Sequence, residues 1–62
     1  MAPTSTEEGV YIECVQQGGL LKVNAIDPKT GTEASVFGPI AARAGLVRNA
    51  VAKLKMVLKK QR

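Results

Sequence analysis

The last third of the chain carries an apolar stripe that can be buried only against another surface. Between residues 46 and 60, apolar side chains recur at the i, i+4, i+7, i+11 spacing of one α-helical face: Val47, Val51, Leu54 and Leu58. The stripe extends back into residues 40–44 and has further apolar neighbours: Ile40, Ala44, Leu46, Ala50 and Val57. Glycine inside a helix costs about 1 kcal/mol relative to alanine, so we expect the helix to begin cleanly at Gly45 or Leu46.

The upstream residues must supply the surface that this helix covers. Val10 to Gln17 and Leu20 to Asp27 are β-branched or apolar runs separated by Gly18-Gly19, a dipeptide that suits a two-residue hairpin turn. The turn pairs Gln17 with Leu20 and thereby sets the register. One face of the hairpin then carries Ile12 opposite Ala25, Cys14 opposite Val23 and Gln16 opposite Leu21.

A second turn is predicted at residues 27–32. Asp27 and Pro28 suit the first two positions of a type I turn, and Gly31 can adopt the left-handed conformation that returns the chain. A four-residue loop places Ala34 and Val36 on the face that the first hairpin makes apolar. Because two independent turns agree on the inner face, we predict an α+β fold: a three-stranded antiparallel meander in the order 1-2-3, with one C-terminal helix packed on one face. The Gly38-Pro39 dipeptide is expected to end the third strand.

A chain of 62 residues can form one small domain, here residues 9–60. We expect residues 1–8 to be a disordered tail and residues 61–62 to be frayed. Residues 1–8 lack the pattern of a secretory signal, and no apolar run approaches the ~20 residues of a membrane span. A single cysteine cannot form an intramolecular disulfide, so we expect a reducing compartment and a cytoplasmic protein.

Side chains suited to catalysis are few. The chain has no histidine, no closely spaced pair of carboxylates within one element, and no glycine-rich loop running from a strand into a helix. Cys14 is a candidate nucleophile, but its register points it into the core, where a thiol behaves as a small hydrophobe. We therefore expect a protein that is not an enzyme and that has no metal site and no cofactor.

The positive charge is concentrated in the predicted helix. Residues 1–38 contain five acidic and two basic residues, whereas residues 39–62 contain seven basic residues and no acid. Such a helix could bind nucleic acid weakly and without sequence preference through its cations: Arg48, Lys53, Lys55, Lys59 and Lys60. However, these cations fall on both flanks of the apolar stripe, as in a solvated amphipathic helix, and we favour this second interpretation. We expect no membrane binding, because the sheet already requires the stripe.

The sheet face that the helix leaves uncovered is the preferred contact surface. It carries both aromatic residues of the chain within an apolar patch: Tyr11, Val15, Ile26 and Phe37. Apolar patches rimmed by polar groups often mark protein contacts, although scattered surface hydrophobes are also common. Some DNA-binding domains press such a face into the major groove, but this one has two acids and one base, which would repel phosphate. We predict an interaction module that contacts a protein partner, or a second copy in a homodimer, through this face or a strand edge.

Several short motifs resemble a known family. The strand opening Val10-Tyr11-Ile12-Glu13-Cys14, the turn Ala25-Ile26-Asp27-Pro28, the return Thr30-Gly31-Thr32-Glu33 and the Gly38-Pro39 break resemble a family of short uncharacterised bacterial proteins, a domain of unknown function. The similarity spans about residues 9 to 60. It implies a bacterial cytoplasmic protein and supplies no activity, cofactor or site residue.

Overall fold

A four-stranded antiparallel sheet is crossed on one face by a single helix. The computed structural model of the protein describes residues 5–60. The strands are β1 (Ser5–Glu7), β2 (Val10–Gln17), β3 (Leu20–Ile26) and β4 (Glu33–Pro39), and they lie in the order β1-β2-β3-β4. A 3₁₀ turn (Ile40–Ala42) leads into helix α1 (Arg43–Lys60). The predicted α+β fold, a meander of three strands followed by one C-terminal helix, is confirmed by β2, β3, β4 and α1.

The register of the meander follows from its two turns. Gln17 is paired with Leu20 across the Gly18-Gly19 turn, and Ile12 lies opposite Ala25, as predicted. Gly18 has a φ of 61° and Gly19 has no positive φ, which is the pattern of a type II′ turn. In the second turn, the amide of Gly31 donates to the carbonyl oxygen of Asp27 over 2.8 Å, and the amide of Asp27 donates to that of Thr32 over the same distance.

The first strand was not predicted. Residues 5–7, which the sequence assigns to a disordered tail, form β1 and pair with β2 in the register Ser5↔Ile12, Thr6↔Tyr11 and Glu7↔Val10. A two-residue turn joins the strands, and both of its residues have positive φ: 53° for Glu8 and 79° for Gly9. Backbone hydrogen bonds hold such a short edge strand, so it needs no apolar pattern. Residues 1–4 and 61–62, also predicted to be tails, lie outside the described residues.

The third predicted strand continues through the dipeptide that was expected to end it. Gly38 pairs with Leu21 and Pro39 pairs with Leu20, so both belong to β4. Proline lacks a backbone N–H, and an edge strand tolerates it because one side of that strand has no ladder partner. The helical segment therefore starts one residue later than Pro39.

The buried face of α1 is rotated from the predicted stripe. Leu46, Ala50, Val51 and Leu54 are buried, whereas Val47 and Leu58 are half-buried. Ile40 and Ala44, which were placed in the stripe, are exposed: Ile40 lies in the 3₁₀ turn, and Ala44 lies in the first turn of α1. The helix also begins at Arg43, two residues before the predicted start at Gly45. The sheet contributes the rest of the core: Val10, Ile12, Leu21, Val23, Ala25 and Ala34.

Candidate functional site

The outer face of the sheet, the face opposite α1, is built from four rows of side chains that the register places across β2, β3 and β4. From one end to the other, the rows are Tyr11-Ile26-Glu33, Glu13-Asn24-Ser35, Val15-Lys22-Phe37 and Gln17-Leu20-Pro39. No other described element packs against this face. All four residues of the predicted interaction patch therefore lie on one surface: Tyr11, Val15, Ile26 and Phe37.

A polar row divides this patch into two parts. Glu13, Asn24 and Ser35 lie between the row of Tyr11 and the row of Phe37, and the Ser35 hydroxyl donates a hydrogen bond to Oδ1 of Asn24. Tyr11 and Ile26 are consequently grouped at one end of the face. Val15 and Phe37 are grouped at the other, one row beyond the polar residues.

At the end of the face that contains Phe37, the apolar surface extends beyond the four predicted residues. Leu20 lies in the adjacent row and has 53% of its surface exposed, compared with 59% for Phe37 and 40% for Tyr11. The Nζ atom of Lys22 lies 5.8 Å from the centre of the Phe37 ring, a cation–π contact. Leu20 was missed in the sequence, although its side chain must share a face with Lys22, two residues along the same strand.

The open edge of β4 is protected against further strand pairing. The residues that flank a two-residue hairpin form a hydrogen-bonded pair, and hydrogen-bonded pairs alternate along an antiparallel ladder. Counting from Gln17↔Leu20, β4 bonds to β3 through Ala34, Val36 and Gly38. Ser35 therefore directs its backbone outward, where Lys53 Nζ donates to its carbonyl oxygen over 2.9 Å. The backbone of Pro39 is also directed outward, and proline has no N–H to donate. The Lys53 hydrogen bond and Pro39 therefore both hinder a further strand from pairing with this edge.

The cations of α1 lie on two sides of the molecule. Lys53 reaches the edge of β4, whereas Lys55 forms an ion pair with Glu8 in the β1–β2 turn. Lys60 follows Lys53 by seven residues and shares its flank, while Arg48 and Lys59 share the flank of Lys55. The structure thus does not gather the predicted nucleic-acid contacts into one cluster.

A shallow groove runs along the Lys55 flank of the helix. It has a volume of about 270 Å³ and is lined by Glu8, Val47, Arg48, Val51, Ala52 and Lys55. This groove was not predicted, because Glu8 at its rim lies in the β1–β2 turn and strand β1 was not predicted. The signal available in the sequence was the Glu8-Gly9 dipeptide directly before the first predicted strand.

Cys14 was the candidate nucleophile of the sequence. Cys14 is half-buried against the core, on the inner face where the register places it. Within residues 5–60, no group of three or more His, Cys, Asp or Glu side chains could hold a metal ion. In the same range, no helix has both the length and the hydropathy needed to cross a membrane.

Comparison with known proteins identifies a family. No curated protein and no solved structure matches the chain. A family model does match residues 7–61, which include the whole meander and the helix. The resemblance noted in the strand and turn motifs is therefore confirmed at the level of the family: the chain belongs to the family described as Domain of unknown function (DUF6898).

Proposed function

We propose that this protein is a non-enzymatic interaction module that binds a protein partner through the outer face of its sheet. The observation that carries the proposal is the exposure of Tyr11, Leu20 and Phe37 on a face that no described element covers. Leaving three large hydrophobic side chains in water sacrifices burial energy that a partner surface would recover. The module acts in the cytoplasm of a bacterium, as the resemblance and the single cysteine suggest.

The face is a better contact surface than the edge of β4. A partner strand would have to displace Lys53 from the Ser35 carbonyl oxygen and would meet Pro39, which cannot donate. By contrast, a partner at the outer face has only to desolvate the side chains already exposed there. The alternative contact through this edge is therefore disfavoured.

A second copy of the chain is the partner that we propose first. Strands of seven or eight residues, three abreast, give a face of about 25 by 14 Å at ordinary strand spacings. This area is small compared with permanent dimer interfaces, which bury about 800 Å² or more per partner. The homodimer is therefore reversible, and its population rises with concentration.

Sedimentation velocity over a wide concentration range tests the proposal. The wild-type chain is expected to shift from monomer towards dimer, and Phe37→Ser with Leu20→Ser is expected to weaken the association about tenfold or more. Met56→Ser is the matched control, because Met56 is also exposed, at 60%, but lies on the helix. A monomer at every concentration, combined with no effect of the outer-face variants on binding to any co-purified protein, would refute the interaction face.

The second candidate function is weak, sequence-nonspecific binding of nucleic acid by the helix. It is favoured by the seven basic residues and the absence of acids in residues 39–62. Affinity for single-stranded DNA should then fall steeply with salt concentration and be lost when Lys53, Lys55, Lys59 and Lys60 become Gln. Binding that survives these changes, or that is not detected at low salt, excludes this function.

A further inference from the structure

The groove beside α1 combines an apolar floor with a charged rim. Val47 is half-buried against the core and lines the groove, so part of its apolar surface remains accessible there. Val51, which is 5% exposed, lines the groove beside it. Arg48 and Lys55 lie at the rim. Being seven residues apart on one helical face, their Cα atoms are separated by about 10.5 Å.

The two cations differ in what they contact. Lys55 binds the carboxylate of Glu8, so one end of the groove already holds a carboxylate. The guanidinium of Arg48, by comparison, has no hydrogen-bond or ion-pair partner among the side chains described. Arginine recognises carboxylates with two parallel hydrogen bonds, so its fork suits the same kind of ligand that Lys55 binds within the chain.

The ion pair between the Glu8 carboxylate and Lys55 is weak. The ion pair is solvent-exposed, with 55% of the Lys55 side chain and 63% of the Glu8 side chain accessible, and exposed pairs contribute little stability. Glu8 also occupies the left-handed region, with a φ of 53°, which non-glycine residues adopt at a cost. An incoming carboxylate can therefore replace Glu8 on Lys55 without disturbing the core.

The geometry points to a binding site for an acidic peptide segment of a partner protein, which carries two carboxylates about 10 Å apart and an apolar side chain between them. One carboxylate binds Arg48, the other displaces Glu8 from Lys55, and the apolar side chain rests on Val47 and Val51. This site lies on the helix side of the sheet, whereas the outer face lies on the opposite side. Both surfaces can be occupied at once, so the site goes beyond the proposed function and does not depend on it.

The lining favours a peptide over nucleic acid. A phosphodiester chain would place evenly spaced charges along the groove, but the middle of the groove is apolar and Glu8 contributes a negative charge. The remaining cations on the other flank, Lys53 and Lys60, cannot join Arg48 and Lys55 in one track. A ligand with separated charges and an apolar centre matches the lining better.

The test uses a fluorescein-labelled seven-residue peptide with glutamate at its second and sixth positions and leucine at its fourth, because alternate side chains of an extended peptide lie on one face. Binding is measured by fluorescence anisotropy at low salt and located by amide chemical-shift changes in an NMR titration of the full chain. We expect shifts at Val47, Arg48, Val51 and Ala52. Arg48→Gln should weaken binding about tenfold, the effect of losing one charge-assisted hydrogen-bonded pair. Glu8→Gln should strengthen it several-fold, because the internal competitor is removed.

Three controls make the outcome decisive. Lys60→Gln removes the same charge from the opposite flank and should change the affinity less than twofold, and a peptide with glutamines in place of both glutamates should not bind. Glu8→Asn repeats the removal of the competitor with a residue that tolerates the left-handed region. The proposal is overturned if Arg48→Gln and Lys60→Gln have equal effects, if the glutamine peptide binds as well, or if the shifts fall on the outer face. It is also overturned if single-stranded DNA binds more tightly than the peptide.

Discussion

Gly38 and Leu46 are in such close contact that the strand position cannot accept a side chain unless the Leu46 side chain shifts. A Cβ atom built on Gly38 would lie 2.6 Å from Cδ2 of Leu46 and within 3.3 Å of two further Leu46 atoms. Leu46 is buried in the core, so its side chain has little room to move away. The first turn of α1 therefore packs against the end of β4.

Gly38→Ala is therefore expected to destabilise the protein by about 1–3 kcal/mol through overpacking. Urea denaturation of the single and double variants measures this effect. In the double variant with Leu46→Val, the smaller side chain should relieve part of the clash, so the two changes should not be additive. Strict additivity would show that the two residues are not in steric contact.

The observed phase of α1 predicts different outcomes at two alanines of the same helix. Ala50 is fully buried against the sheet, whereas Ala44, placed in the apolar stripe by the sequence pattern, is exposed. Ala50→Lys should unfold most of the protein, because it buries an unpaired charge. Ala44→Lys should change the free energy of unfolding by no more than about 0.5 kcal/mol. Circular dichroism melts of both variants distinguish the observed burial of these two alanines from the predicted one.

Two turn glycines allow the effect of backbone conformation on stability to be measured without an effect of side-chain packing. Gly31 has a φ of 75° and Gly19 has no positive φ, yet neither has any atom within 4 Å of a Cβ built on it. Gly31→Ala should cost about 1–2 kcal/mol, since alanine is disfavoured in the left-handed region. Gly19→Ala is the matched control and should be neutral or slightly stabilising. Equal losses of stability at both sites would contradict the assigned turn geometries.

Removing the Lys53 hydrogen bond and Pro39 should make the edge of β4 available for pairing with another strand. In the double variant Lys53→Ala and Pro39→Thr, the Ser35 carbonyl oxygen loses its donor and residue 39 gains an N–H. We expect faster aggregation with increased thioflavin T fluorescence at unchanged monomer secondary structure. Lys60→Ala with Pro28→Thr has the same change in composition at unrelated positions and should aggregate at the wild-type rate.

The register of the meander was predictable because two kinds of information overlap. Turn chemistry at Gly18-Gly19 fixes the pairing, and the alternation of Ile12, Cys14, Val23 and Ala25 independently requires the same inner face. A shift by one residue would expose the core, so the sequence admits one solution. The shared surface of Tyr11 and Phe37 follows directly from that register.

Other features depend on interactions that leave weak traces in sequence. Strand β1 is held by backbone pairing, so its side chains carry no apolar pattern. The predicted stripe was centred on Val47 and not on Leu46, because both residues are apolar. Val51 and Leu54, which the stripe included, are buried, whereas Val47 and Leu58 are only half-buried. The groove was not predicted, since the contact between Glu8 and Lys55 at its rim joins residues 47 positions apart in the sequence.

Strand β3 has a consequence for how this family can diversify. Its alternate residues Leu21, Val23 and Ala25 are buried, whereas Lys22 and Asn24 face outward between β2 and β4. Mutations at the outward positions can alter the centre of the outer face without replacing any of the buried residues of β3. Gene duplication followed by drift on this face alone would then yield paralogues that share one scaffold and differ in the surface for which we propose a contact role.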